Sequence, residues 1–181
     1  VGVDKNAFEN EKKYPVPADS ALTSDEIIDL RNADFNEGAY ATLKAAFVKA
    51  KSLNERGLKA KIKSPANTAI VIDAADADSS DITAHQTYVK ENAVFVLSDY
   101  DGLYIEGDKT EIRILCRNSV WKGFLHLSGS EDVRLEGITV DYENSPVVRG
   151  VVKSCAFDER KDSVTVKVDD EYKTALESAL S

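Results

Sequence analysis

A chain of 181 residues with 43% hydrophobic and 30% charged residues has the composition of a folded globular protein and not of a disordered one. Its formal net charge of -9 disfavours nucleic acid or an acidic membrane as a partner, because such binding depends on Lys and Arg neutralising phosphates. No apolar run approaches the ~18 residues of a membrane span, and two cysteines are too few for a disulfide scaffold.

Residues 1–25 are predicted to be a loosely attached lead-in, because charged residues, Pro15 and Pro17 interrupt any apolar periodicity. Residues 26–181 are predicted to form one domain, since domains commonly have about 150 residues. The run from Glu26 to Leu30 fits either a strand or one turn of helix, and its length does not decide between them.

The next segment has apolar residues at spacings of three and four, which is typical of an amphipathic helix. These residues are Tyr40, Leu43, Ala46, Phe47, Ala50 and Leu53. The pattern predicts a helix from about residue 37 to about residue 56, with Asn36 as its N-cap. Gly57 follows Arg56 and suits the left-handed position beyond a helix end.

Short apolar runs separated by Gly, Asp, Asn and Ser dominate the chain after residue 92 and predict strands. Residues 69–72 form an earlier strand candidate. The later strands are expected near residues 94, 103 and 112, then near 124, 133 and 138, with two more over 147–152 and 164–168.

An internal similarity at an offset of twenty-one positions runs through this region. It lays residues 101–105 over 122–126 and residues 111–114 over 132–135. The repeat predicts stacked structural units, because strands this short cannot bury a face alone. Gly102 is then expected above Gly123, and Arg113 above Arg134.

Two solenoid folds have a period near this value. A leucine-rich repeat needs Leu and Asn at fixed positions, which this chain lacks. A right-handed parallel β-helix needs three short strands per coil, and the predicted strands have that rhythm. Because its first coil would expose an open edge, the amphipathic helix is predicted to cap it.

Two stretches resemble secreted right-handed β-helix proteins of the pectate-lyase-like class, particularly β-helical glycosidases such as the α-galactosidases. Residues 39–47, with the sequence Ala-Tyr-Ala-Thr-Leu-Lys-Ala-Ala-Phe, resemble the helix that follows their opening strand. The coil from Gly123 to Tyr142 resembles a later one, and Pro146, Gly150 and the valines at 151 and 152 are similar to its continuation.

The resemblance covers residues 26–170 and implies an extracellular or periplasmic carbohydrate-active protein. A glycoside hydrolase is the favoured reading, and its catalytic residues are expected on later coils outside this chain. The expected partners are a carbohydrate and the remaining coils, or a second fragment of the same protein. A non-catalytic glycan-binding or adhesin β-helix and a polysaccharide lyase are the alternatives.

Asp141 and Glu143 are candidate catalytic or sugar-binding residues. They flank Tyr142 after a predicted strand, where alternation places both acids on one side about 7 Å apart. Inverting glycosidases hold their two carboxyl groups roughly 6.5–9.5 Å apart. The alternative without a function is that both acids are solvated side chains at the end of a strand.

Trp121, Tyr142 and Arg149 are candidates for substrate binding, and Tyr104 could extend an aromatic platform for sugar rings. His126 is a weaker candidate for a general base.

No cofactor is predicted, although calcium is possible at carboxylates such as Asp99 and Asp101. Arg113 and Arg134 are expected to form ion pairs with the neighbouring Glu111 and Asp132.

Overall fold

The computed structural model describes residues 14–36, 38–77, 93–116, 122–143, 150–156 and 163–169. Within these ranges the chain is mostly strand, so the mainly β fold class is confirmed. Over the same ranges, no helix has the length and apolar character needed to cross a membrane. Trp121 and Arg149 lie outside the described residues.

The predicted amphipathic helix is confirmed as α1, Ala39–Asn54. Its apolar face is buried, and Gly57 has the left-handed φ of +74° predicted beyond the helix end. The N-cap is Gly38, so the prediction of Asn36 as N-cap is wrong. The Asn36 backbone N–H donates to Asp34 Oδ1 at 2.9 Å, which places Asn36 in a turn before the helix.

Within the described ranges, seven strands pair in parallel, and all of the strands predicted between residues 69 and 140 are among them. They are β1 (Ile27–Asp29), β2 (Ala60–Lys63), β3 (Ala69–Asp73), β4 (Ala93–Ser98), β5 (Asp101–Leu115), β6 (Gly123–Ser128) and β7 (Glu131–Tyr142). The larger sheet joins β1, β2, β3, β5 and β7, and the smaller sheet joins β4 and β6. The ambiguous run at residues 26–30 becomes β1, preceded by a 3-10 turn at Ser24–Glu26.

β5 and β7 are long because each contributes two strand segments. Residues 101–106 of β5 pair with β2 and with residues 131–136 of β7. Residues 110–115 of β5 pair with β3 and with residues 138–142 of β7. The register between β5 and β7 shifts between Glu106 and Thr110, where the two segments of β5 meet. Thr110 is fully buried there and donates to the Pro65 carbonyl at 2.7 Å.

The predicted vertical alignment at twenty-one positions is wrong. Gly123 lies on β6 and pairs with β4, whereas Gly102 lies on β5 and pairs with neither. Arg113 pairs with Asp141 across β5 and β7, and not with Arg134. The match at twenty-one positions aligned each strand segment with the segment that precedes its true partner in the chain. This happened because all of these segments share one alternation of apolar and polar residues.

The paired strands are instead offset by thirty positions between β4 and β6 and between the first segments of β5 and β7, and by twenty-eight between the second segments of β5 and β7. Ala93 pairs with Gly123 between β4 and β6, and Leu103 pairs with Val133 between β5 and β7. The two sheets therefore advance together along the chain, with three strand segments in each advance. The predicted period of twenty-one is wrong, and the prediction of three strands per coil of a β-helix stays a prediction.

The core is one cluster of apolar side chains from α1 and from the inward faces of both sheets. Isoleucines dominate it, because alternate positions of a strand face the same side and β-branched residues pack well there. Its fully or almost fully buried strand residues are Ala60, Ile62, Ile70, Ile72, Leu103, Ile105, Ile112 and Ile114.

The last two described strands differ from the rest. β8 (Gly150–Ala156) and β9 (Ser163–Val168) form an antiparallel pair in a separate two-stranded sheet. Both strands were predicted, but their alternating sequence gave no sign of their direction, because parallel and antiparallel edge strands can share the same pattern.

Candidate functional site

The outward side of β2, β5 and β7 carries two rows of polar side chains in register across the three strands. Because side chains alternate along a strand, the residues beside buried Leu103 and Ile105 point away from the core. One row is Lys61, Tyr104 and Arg134, and the other is Lys63, Glu106 and Glu136. We call this surface the outer face.

Residues 14–19 lie across the outer face, and we call them the strap. Arg134 donates to the Pro15 carbonyl at 2.6 Å, and Lys61 donates to the Pro17 carbonyl at 2.8 Å. The Val16 backbone N–H donates to Glu136 Oε2 at 3.0 Å. Within the predicted lead-in, the strap is therefore attached to the outer face, because side chains far away in the sequence bind its backbone.

Lys61 is the most deeply buried charge on the outer face, with only 1% of its surface exposed. Its Nζ lies 2.7 Å from Asp19 Oδ1 and 3.0 Å from Glu106 Oε1. Burial by itself would lower the pKa of Lys61, but the hydrogen bonds to Asp19 and Glu106 raise it above its ordinary value. Lys61 is thus a fully paired cation.

The same contact controls the charge of Asp19. Hydrogen bonds from Lys61, and then from Lys63, lower the pKa of Asp19 to about 2. Asp19 therefore remains a carboxylate over the whole neutral range and ties the end of the strap to β2.

Arg134 lies between two tyrosine rings in the other part of the outer face. Its guanidinium carbon is 5.7 Å from the Tyr14 ring centre on the strap and 5.4 Å from the Tyr104 ring centre on β5. These distances are within the range of cation–π contact. Arg134 also pairs with Asp132 at 2.6 Å, which confirms the ion pair predicted from the sequence.

Tyr104 is almost completely covered, with 4% of its surface exposed. Its hydroxyl donates to Asp132 Oδ2 at 2.6 Å. Burial, and then the hydrogen bond to Asp132, raise the pKa of Tyr104 to about 12. In this conformation Tyr104 cannot serve as the open aromatic platform that the sequence suggested, because Arg134 lies over its ring.

Two clefts flank the strap. The first, of about 470 Å³, is lined by Tyr14, Asp132, Val133, Arg134 and Leu135. The second, of about 440 Å³, is lined by Arg31, Lys63, Ser64, Ala66, Glu106, Gly107, Asp108 and Glu136. Each cleft is lined by at least one cation and one carboxylate, so each can donate to and accept from a hydroxyl-rich ligand.

Asp141 and Glu143 lie elsewhere, at the end of the second segment of β7. Asp141 pairs in register with Arg113, which donates to Glu111 at 2.8 Å and to Glu143 at 3.3 Å. The predicted ion pair of Arg113 with Glu111 is therefore confirmed. Both candidate acids are exposed and share Arg113 as a neighbour. Their catalytic or sugar-binding role stays a prediction.

Of the remaining candidates that the structure describes, Tyr142 and His126 lie away from the outer face. Tyr142 is partly buried and packs against the core, and His126 lies on β6 in register with Val96. Among the described residues, no group of three or more His, Cys, Asp or Glu side chains could hold a metal ion. Asp101 instead pairs with Lys59 at 2.9 Å.

The outer face was missed because its residues come from three distant stretches of sequence. A usable signal was present in Ala60–Lys63, where two lysines alternate with apolar residues and must share one side of a strand. The prolines at 15 and 17 were a second signal, because proline favours an extended chain that can lie along a sheet.

No protein-family model matches this chain, and a search of curated proteins finds no match either.

Proposed function

We propose that the chain is the N-terminal part of a right-handed parallel β-helix in an extracellular or periplasmic carbohydrate-active protein. In this proposal α1 covers the first coil, the outer face binds the glycan, and a glycoside hydrolase is the favoured class. The catalytic acids then lie on coils that follow this chain.

The fold part of the proposal is supported by the common offset of thirty positions that relates β4 to β6 and the first segment of β5 to the first segment of β7. Strands that advance in parallel need crossover connections, and such connections are right-handed in almost all proteins. The two stretches that resemble β-helical glycosidases fall on α1 and on β6 with β7.

The glycan part rests on a single observation, the two registered rows of the outer face with a cleft on either side. Sugar hydroxyls both donate and accept, so a surface that carries carboxylates as well as Lys and Arg offers partners for both roles. The net charge of -9 favours neutral glycans over acidic ones.

The test is binding of the chain to a panel of neutral and uronate-containing oligosaccharides, measured by glycan array and calorimetry. We expect a neutral glycan to bind and Glu136→Gln to weaken that binding about tenfold, because a charged acceptor is lost. Asp141→Asn is the matched control on the other segment of β7. If only Asp141→Asn loses binding, the glycan site lies at Asp141 and Glu143 and not on the outer face. If the chain binds none of the oligosaccharides, the proposal is refuted.

The reaction products distinguish the glycoside hydrolase from the two alternative classes of protein. With the downstream coils present, hydrolysis of the bound glycan would support a glycoside hydrolase, and unsaturated products would support a polysaccharide lyase. Binding without any product would support the adhesin.

A further inference from the structure

The strap is held to the outer face through its backbone as well as through the side chains of Tyr14 and Asp19. The atoms bound by Arg134, Lys61 and Glu136 are two carbonyl oxygens and one N–H of residues 15–17. These are contacts that another extended ligand with hydroxyl and carbonyl groups could also offer. The outer face therefore has the hydrogen-bonding groups needed to bind an extended chain, and in this structure it binds the strap of its own chain.

The strap contributes nothing to the main core. Tyr14 is 65% exposed, and Val16, although buried, is not part of the apolar cluster formed by α1 and the sheets. In contrast, the residues under the strap are covered, with Lys61 at 1% and Tyr104 at 4% exposure. Moving the strap away would uncover polar and aromatic groups without opening the core.

The chain is anchored separately just after the strap. Glu26 is buried, accepts from the Thr23 backbone N–H at 2.9 Å, and accepts from the Lys59 backbone N–H at 2.9 Å. This anchor joins the start of β1 to the start of β2. Residues 14–19 can therefore leave the outer face while β1 stays in its sheet.

We propose that the strap is an internal cover of the outer face, which glycan and strap occupy in competition. This inference rests on the proposed function, since it assigns a regulation to the same surface. The affinity that a glycan shows for the intact chain is then reduced by the fraction of molecules in which the strap is bound.

The test compares the intact chain with the double variant Tyr14→Ala and Asp19→Asn, which removes the contact of the Tyr14 ring with Arg134 and the ion pairs of Asp19 with Lys61 and Lys63. Asp25→Asn is the control, because it makes the same charge change at an exposed position beyond the strap. Hydroxyl-radical footprinting of Tyr104 by mass spectrometry reports whether the strap has moved. Calorimetry with short neutral and uronate-containing oligosaccharides reports binding, and circular dichroism checks the fold.

We expect the double variant to remain folded, to show several-fold faster oxidation of Tyr104, and to bind glycan about tenfold more tightly than the intact chain. The control should match the intact chain in both measurements. If Tyr104 stays protected in a folded double variant, the strap is a fixed structural element and the inference is wrong.

Two further results separate the inference from the proposed function. If Tyr104 becomes exposed in the double variant but its glycan affinity equals that of the intact chain, the strap does not compete with the glycan. The inference is then refuted, whereas the proposal that the outer face binds a glycan is not. If Tyr104 becomes exposed and neither protein binds any glycan, the proposed function fails, and the inference fails with it.

Discussion

Gly137 illustrates how one backbone position fixes the corner between the two segments of β7. It has φ of +66°, a conformation that residues with a side chain adopt only under strain. It also touches the neighbouring corner, since an added Cβ at Gly137 would lie 2.0 Å from the Gly107 carbonyl oxygen. The corners of β5 and β7 can stack only because both positions are glycine.

Gly137→Ala is expected to destabilise the protein by about 3 kcal/mol or more, because positive φ and a backbone clash act together. Gly57→Ala is the matched control, since Gly57 also has a positive φ but an added Cβ would meet nothing within 4 Å. Gly57→Ala should lower the free energy of unfolding by about 1 kcal/mol. Urea unfolding measures both changes, and equal losses would show that the contact between corners does not matter.

The elements differ in how far local sequence determines them. α1 needs only its own spacing of apolar residues and a glycine beyond its end, so its predicted ends lie within one turn of the observed ones. The strap has no such pattern, and its position depends on Asp19 and the lysines of β2.

The strap should therefore loosen in acid. The pKa of Asp19 falls from 3.8 to about 2 on folding, so its carboxylate stabilises the folded state fully above about pH 4. This contribution is lost as the pH falls from 4 towards 2.

We expect Asp19→Asn to lower the free energy of unfolding by about 1 kcal/mol at pH 7, a modest value because Asp19 is half exposed. The difference from the intact chain should shrink between pH 4 and pH 2. Urea unfolding across this range measures it, with Asp25→Asn as a control that changes stability by less than about 0.5 kcal/mol. A difference that is constant from pH 4 to pH 2 would contradict the role of the carboxylate.

At the scale of the whole molecule, the register between strands decides which side chains meet. Glu111 pairs with Thr139 across β5 and β7, whereas the offset expected from the sequence would have placed it beside Asp132. The two registers give different surfaces from the same strands, so a direct measurement can separate them.

Replacing Glu111 and Thr139 by cysteine should give a disulfide, because neighbouring strands lie about 4.8 Å apart and disulfides span Cα distances of roughly 4.4–6.8 Å. The matched pair, Glu111→Cys with Asp132→Cys, should not form one. Peptide mapping of the unreduced proteins by mass spectrometry identifies the linkage. A link between positions 111 and 132 in preference to 111 and 139 would overturn the observed register.

The candidate site was predictable only in part. The ion pairs of Arg113 with Glu111 and of Arg134 with Asp132 followed from the sequence, because residues two apart on a strand share one side. The sequence also singled out Asp141 and Glu143, whose exposed position at the end of β7 agrees with the solvated alternative as well as with a role in binding.

By itself, the sequence determined the helix, the positions of β3 to β9 and the alternation that divides core from surface, since each of these depends on close neighbours in the chain. It left β1 undecided between strand and helix, and it did not predict β2. Only the tertiary structure decided the offset between paired strands, the antiparallel pairing of β8 with β9, and the binding of the strap to the outer face. Most of the contacts that decide them join residues that are distant in the sequence. Several alternative pairings satisfy the same local pattern, and only the packing of the whole chain selects among them.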